Sequence, residues 1–491
     1  MAVLDFPGKR EPLNKNQQST LRCQFYPPLI LLETLNDVCP RGSRRQPSDA
    51  PPSDHQSPEE RFKTLVNKLA HICDYEPGGN TVSALAVIIQ NGRLCYVLAS
   101  NHRGTGAMRN ARAGLQAVLD ILKASVEKRT DDSDEVMAKR LMREILIWNN
   151  VRVRAYLTSL EKELKNCVGK CDTTEQGKSA KEELERLAAF LPDVRDGQKS
   201  DAYIEATMKC ITEIQTSRKT RLPTWRYIEA AAVADDAMAK GGCWSALQHS
   251  AGRLLAYQYA VQTLVHASHL WAETDLFRDF DIETVRSSDS YPATALKFNR
   301  ETVEDILNRT PNAGKAQKKA YRQHAAELQV YELNAKLEQQ LADKREPIVH
   351  AEMLLHHWLS RTEGGTQPHR FFRGWQYIGT SKPICQLCKE YFAVISTPVL
   401  FRSGHPNTYL NWRLPDIYVE NNDPVAVDHA KVEWNNTLVE MQKRIYTALV
   451  RVLQDKVSGK KPNDSNTYTD RITTGDPNYV ANWLGQMRID S

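Results

Sequence analysis

The order His350-Ala351-Glu352, then Pro383-Ile384-Cys385-Gln386-Leu387-Cys388, is the tightest constraint this chain places on its own fold. It requires one imidazole, two thiols and a carboxylate to converge from two separate segments. Cys385 and Cys388, at i and i+3, share one face of a helix, and a helix beginning near Pro383 turns its positive end toward both sulfurs. His350 and Glu352, at i and i+2, would diverge on a regular helix. They converge if His350 stands where the chain is just entering the helix, and Pro347 marks such a start. Leu354, Leu355, Trp358 and Leu359 then give that helix an apolar face to lay on a sheet.

This residue set has a chemical meaning. One neutral imidazole and two thiolates hold a zinc ion with one position left for water, whose pKa falls to about 7. A hydroxide made in this way attacks an amidine carbon. A neighbouring carboxylate takes the water's proton, delivers it to the ring nitrogen and helps ammonia leave. His350, Cys385 and Cys388 are therefore the expected zinc ligands, and Glu352 the expected catalytic residue. Two plainer readings compete. A redox Cys-x-x-Cys pair has no use for the upstream His and Glu, and a structural zinc site wants a second close ligand pair. Cys167 and Cys171 read as ordinary thiols in a helical stretch, and His356 and His357 as a helix surface.

With His350-Ala351-Glu352 ahead of it, the run Trp375-Gln376-Tyr377-Ile378-Gly379, Thr380-Ser381-Lys382 and Cys385-Gln386-Leu387-Cys388 resembles the core of the cytidine deaminase-like superfamily. Within it, the run is similar to a branch expanded in fungi and related to bacterial deaminase toxins. Gly404-His405, Tyr409, Trp412 and Pro415 resemble the block that follows the cysteines in that branch. The resemblance covers roughly 346–416. It implies an α/β fold, a three-layer α/β/α sheet with His350 and Glu352 on one helix and the cysteines opening the next. It also favours cytosine-type bases over adenine. One departure stands out: Ile384 separates Pro383 from Cys385, where the common signature joins them, but the ligand set is intact.

Superfamily sheets begin with a hairpin. The strongest hairpin signal spans 81–101, two apolar runs about Asn91-Gly92. The resemblance makes these the first two strands of the sheet, with Asn101 where such enzymes hold a substrate sugar or base; otherwise Asn101 merely ends a strand. From there to His350 the pattern is helical, at 111–128, 134–164, 182–191, 230–240, 244–269 and 316–341. Gly177, Pro192, Pro223, Gly241-Gly242, Pro292 and Pro311 punctuate it. A large all-α insertion or companion domain is expected, unless the hairpin belongs to the helical part. Beyond the cysteines, 392–399 reads as a strand and 401–406 as a loop at the pocket mouth. There His405 stacks on or hydrogen-bonds a base, or only caps a turn. Trp412 is read as core, with a pocket wall as the alternative.

The expected organisation is a flexible N-terminal segment at 1–60 and a first helix and hairpin at 61–104. An all-α insertion follows at 105–345, then a zinc-binding catalytic core at 346–455 and a C-terminal tail at 456–491. Linker composition is concentrated at 41–60 and 456–478. No apolar run is long enough to span a membrane, and the first residues lack a signal-peptide core. Ten cysteines without such a signal fit reduced thiols in cytoplasm or nucleus.

The net charge of +5 permits nucleic-acid binding without requiring it. Arg218, Lys219 and Arg221 beside Trp225, Arg226 and Tyr227 have the cation-and-ring composition of a single-strand binder. Lys315, Lys318, Lys319 and Arg322 have that of a basic helix side. Both also fit solvated faces. The expected partner is a nucleoside, nucleotide or single-stranded nucleic acid substrate, with a protein partner conceivable at the helical region. The competing function is a catalytically inactive helical interaction protein that keeps zinc for stability, for which Glu352 would have no use.

Overall fold

The computed structural model describes residues 3–40, 56–128, 133–193, 200–236, 242–291, 298, 301–420 and 423–460. The expected linker up to residue 55, the tail from 461, Gly241 and Pro292 lie outside the described residues. In chain order the elements begin with β1 (Lys9–Glu11), α1 (Lys15–Thr20), α2 (Tyr26–Val38), α3 (Pro58–Cys73), β2 (Ser83–Gln90) and β3 (Arg93–Ser100). A long helical stretch follows: α4 (Thr105–Val126), α5 (Asp134–Trp148), α6 (Asn150–Val168), α7 (Glu175–Ala188), α8 (Asp201–Thr220), α9 (Leu222–Asp236) and α10 (Cys243–Leu270). Next come β4 (Phe280–Thr284), α11 (Val303–Asn308), α12 (Lys315–Glu327) and α13 (Leu333–Ala342). The chain continues with α14 (Ala351–Arg361), β5 (Tyr377–Thr380), α15 (Gln386–Ile395), β6 (Leu400–Phe401), β7 (Ile417–Val419) and α16 (Pro424–Asp455).

The architecture is α/β: mostly helices around a mixed five-stranded sheet in the order β4-β3-β2-β5-β6. β2 and β3 are the hairpin, paired antiparallel from Ser83–Ser100 to Gln90–Arg93. Asn91 and Gly92 both take positive φ, 52° and 76°, as the two central positions of a type I′ turn require. β5 adds antiparallel to β2 through Ala84–Thr380 and Leu85–Gly379, while β4 and β6 join the two edges in parallel. Both faces of the hairpin are buried, which is why its strands read as continuous apolar runs. Leu85, Val87, Leu94, Tyr96 and Leu98 pack into the core with α3, α4 and α10; Ala84, Ala86, Ile88, Cys95, Val97 and Ala99 pack into the core with α2, α14 and α15. Gly379 lets α3 lie against β5. A Cβ there would come within 2.7 Å of the Val66 carbonyl carbon and 2.9 Å of the Asn67 nitrogen.

Several boundaries differ from the sequence expectation. The segment 1–60 is not uniformly flexible: α2 is buried along most of its length, with Tyr26, Leu29, Ile30, Leu31 and Leu35 wholly inaccessible. Two adjacent prolines, Pro27 and Pro28, occupy its first turn, where missing N–H groups cost nothing. The segment 105–345 is not all-α, because β4 lies within it and forms a sheet edge. Nor does it stay on one side. α4–α10 belong to the core on one sheet face, while α11–α13 belong to the core on the other. The strand expected at 392–399 is instead the end of α15, where Tyr391 and Phe392 pack inward, and Ser396 in the left-handed region (φ 50°) ends it. The helix expected at 316–341 is broken by a tight 3-10 turn at Leu328–Tyr331. Among the described residues no helix is long and apolar enough to cross a membrane.

Candidate metal centre

Two helix starts build the site. His350 is the N-cap residue of α14, extended at φ −68° and ψ 149°, so its ring and the Glu352 carboxyl in the first turn reach the same space. Cys385 is the N-cap residue of α15 and accepts from the Cys388 N–H at 3.5 Å, which places both sulfurs at the positive end of that helix. The donor atoms converge: His350 Nδ1 lies 3.6 Å from Cys385 Sγ and 3.3 Å from Cys388 Sγ, and the sulfurs are 3.5 Å apart. All three residues are buried and form a group that can hold a metal ion.

Electrostatics distinguish the two thiols. Burial pushes Cys385 up, but hydrogen bonding from Cys388 and the His350 imidazole outweigh it and hold Cys385 well below the ordinary thiol range. Burial and the neighbouring Cys385 push Cys388 well above that range. Glu352 is 3 % exposed, and burial raises its carboxyl above the usual carboxylate range, with His350 offsetting part of the rise. Its carboxyl also hydrogen-bonds the Cys388 side chain. A buried acid with a raised pKa beside a metal-ligand set is a group suited to carrying a proton.

The supports of this centre come from distant parts of the chain. Asn101, at the end of β3, accepts from the Ala351 N–H at 2.7 Å through Oδ1 and donates through Nδ2 to Gly79 O at 2.9 Å. Both ends of its amide are therefore used in holding the start of α14. Trp412 is wholly buried and stacks on Phe25, with ring centroids 5.9 Å apart. Its Nε1–H points to Met353 Sδ at 3.1 Å and Cys388 Sγ at 3.3 Å. Trp412 is thus a core residue that also touches a candidate ligand. Its backbone bridges Ile348, two residues before His350, and its carbonyl accepts from Tyr26 Oη at 3.0 Å, so α2 buttresses the centre.

His405 is buried at 3 % exposure, and its ring meets Tyr409 edge-on at 5.8 Å; Tyr409 in turn lies 6.1 Å from the His350 ring. The loop crosses the start of α15, with His405 N–H donating to Ile384 O at 2.9 Å and Gln386 N–H to Asn407 O at 3.1 Å. Gly404 permits that crossing, since a Cβ there would sit 3.0 Å from Ile384 O. Residues 349–416 match the family model described as OTT_1508_deam-like deaminase. No curated protein and no solved structure matches the chain. The matched segment contains His350, Glu352, both cysteines and the 404–412 loop, so the deaminase relationship covers the residues that converge on the centre.

Other sequence candidates lie elsewhere. Trp225 is buried, its Nε1 donates to Ser217 Oγ at 2.8 Å and Arg218 covers its ring at 5.2 Å, so the ring is not offered to a base. Lys318 donates to Asn308 O at 2.6 Å, and Arg322 to Asn308 Oδ1 at 2.7 Å. His356 and His357 are not a helix surface. His356 packs on Phe392 and Phe401, and His357 on Phe6 and Tyr418.

Sequence reasoning missed the buried Asp74–Arg152 ion pair, which ties α6 to the sheet. Asp74 also accepts from Thr81 Oγ1 at 2.7 Å and Ser381 Oγ at 3.2 Å. The Thr380-Ser381-Lys382 run was a signal for one end of this network. Nothing local pointed to Arg152.

Proposed function

We propose that the protein is a zinc-dependent hydrolytic deaminase of a nucleobase, replacing a ring amino group by oxygen with release of ammonia. One observation carries the reading: His350, Cys385 and Cys388 converge with Glu352 beside them, inside the segment that matches a deaminase family. The donor set suits zinc. Its separations of 3.3–3.6 Å are close to the roughly 3.6–3.8 Å that tetrahedral N and S ligands keep when bonds are about 2.0–2.3 Å. Zinc held by three such ligands supplies an activated water, lowering its pKa to about 7.

The chain's own residues do the rest. Glu352 accepts the proton of the attacking water, gives it to the ring nitrogen and assists departure of ammonia; its buried, raised carboxyl suits both directions of transfer. Trp412 restrains the Cys388 sulfur, and Asn101 holds the start of α14 so that His350 and Glu352 keep their relative orientation. His405 and Tyr409 form the wall nearest the His350 ring and are the surfaces offered to a base. Cytosine-type bases are favoured over adenine on the resemblance of the 350–415 motifs, with a nucleotide or a single-stranded nucleic acid as the carrier and cytoplasm or nucleus as the compartment.

The test compares wild type with Glu352→Ala at equal zinc content. Ammonia release and product mass are measured against cytidine and adenosine as nucleosides, nucleotides, and single-stranded DNA and RNA. A one-dalton gain that disappears in the variant is expected. Stoichiometric zinc in both proteins with no turnover on any substrate would leave a metal-stabilised interaction module instead.

A further inference from the structure

A second group of functional side chains gathers where α3 meets α6 and α10. Lys68 and His71 lie one turn apart on α3, Arg152 is in the first turn of α6, and Arg253 lies within α10. All are buried, at 5 %, 6 %, 2 % and 8 % exposure. They share aromatic walls. The His71 ring lies 5.2 Å from Tyr257, Lys68 lies 5.9 Å over Tyr259, and Arg152 and Arg253 both face Tyr156, at 5.7 and 6.0 Å. Arg402, on the loop after β6, reaches the same region and donates to Thr380 O and Ser381 O at 3.3 Å each.

The charges acting on His71 are of one sign. Burial first, then Lys68, Arg253, Arg152 and Arg402, hold its imidazole well below the usual value. Asp74 brings a carboxylate into the group, but it is engaged by Arg152 and by the Thr81 and Ser381 hydroxyls. His71 Nε2, though buried, has no hydrogen-bond partner. Burying like charges and an unpartnered polar nitrogen together is costly, and a bound anion relieves both penalties.

We propose that Lys68, His71, Arg253 and Arg402 form a phosphate-binding subsite that receives the phosphate of a mononucleotide. Forked guanidiniums and an ammonium match the several acceptor oxygens of a phosphate. The enclosure of these donors suits a compact terminal group, whereas a polynucleotide backbone is tracked along an open groove. The chain joins this subsite to the metal centre. From Arg402 it passes directly to His405 and Tyr409, the rings beside His350. Assigning that phosphate to a deamination substrate rests on the function proposed above; the anion site itself does not.

The test is calorimetric titration of zinc-loaded protein carrying Glu352→Gln, which prevents turnover. The probes are inorganic phosphate, cytidine, cytidine 5′-monophosphate and a single-stranded oligonucleotide. The monophosphate is expected to bind at least about tenfold tighter than the nucleoside, with inorganic phosphate competing against it. Lys68→Met and Arg402→Gln should each remove most of that advantage while leaving nucleoside binding unchanged. Arg402 lies half-buried on a loop, so its variant keeps the test open if Lys68→Met does not fold. Equal binding of nucleoside and monophosphate, equal loss of both in the variants, no binding of any probe, or a preference for the oligonucleotide that phosphate does not compete away would overturn the proposal. Competing phosphate with no nucleoside binding or turnover in wild type would sustain the anion site and sink the deaminase reading.

Discussion

Replacing Asn101 by alanine removes two buried hydrogen bonds at once, to the Ala351 N–H at 2.7 Å and to Gly79 O at 2.9 Å. Neither partner gains access to bulk water by the change, so each is left with an unmet requirement costing about 1–3 kcal/mol. The expected destabilisation is about 2–4 kcal/mol, read as a shift in the urea midpoint at unchanged slope. The effect extends to the centre. Ala351 stands between His350 and Glu352, and loosening its N–H frees the helix start that aims both side chains, so zinc affinity should fall alongside stability. Asn101→Asp keeps an acceptor for the Ala351 N–H and should recover about half of the loss. Both quantities are measured on the same preparations, by denaturation and by competition with a chromophoric chelator. If Asn101→Ala is as stable as wild type, binds zinc as tightly, and only raises the KM for substrate, then Asn101 serves the substrate and the positioning argument fails.

Trp412→Phe deletes the N–H directed at Cys388 Sγ and Met353 Sδ while keeping an aromatic ring against Phe25. Zinc affinity should drop by about 10–100-fold in the same chelator competition, and an unchanged affinity would show the contact to be packing alone. Burial holds His356 at about 4, against an ordinary value of 6.5, with Nε2 on Thr397 Oγ1 at 2.7 Å. Its contribution is complete above pH 6.5 and lost as the pH falls toward 4, because the unfolded chain takes the proton first; the gap corresponds to about 3 kcal/mol. The difference between wild type and His356→Gln in denaturation midpoints should therefore change across that window, and parallel pH profiles would contradict it. Gly379→Ala drives a methyl against the α3 backbone and should cost about 1–3 kcal/mol in thermal or urea unfolding, with wild-type stability the disproving outcome.

The metal centre was the most legible part of the chain because its chemistry restricts both residue type and spacing. The two helix starts at His350 and Cys385 follow from local geometry, and the Asn91-Gly92 turn from the need for two positive φ angles. What the sequence hid is set by partners far away along it. His356 and His357 look like a polar helix face until Phe6, Tyr418, Phe392 and Phe401 cover them. The aromatic run after Cys388 has strand composition, but its rings are used at helical spacing against the core. The N-terminal segment reads as a lead-in because nothing local reveals that Tyr26 will meet Trp412. A five-residue strand such as β4 carries too little pattern to stand out among long helices, and its place is fixed only by the open edge of β3.

The order of the strands also affects how the chain can be made. β3 ends at Ser100 and β5 begins at Tyr377, about 280 residues later, so at synthesis rates of about 5–20 residues per second the hairpin waits tens of seconds for that neighbour. During this interval β2 presents an apolar, unpaired edge of the kind that seeks strands from other chains. α4–α10 emerge in the meantime and can cover one face of the hairpin, but the β2 edge stays open until Tyr377–Thr380 arrives. The binding centre therefore cannot be assembled piecemeal on the ribosome: it is among the last parts of the molecule to form, and slowed or truncated synthesis would leave a helical body with an adhesive strand and no metal site.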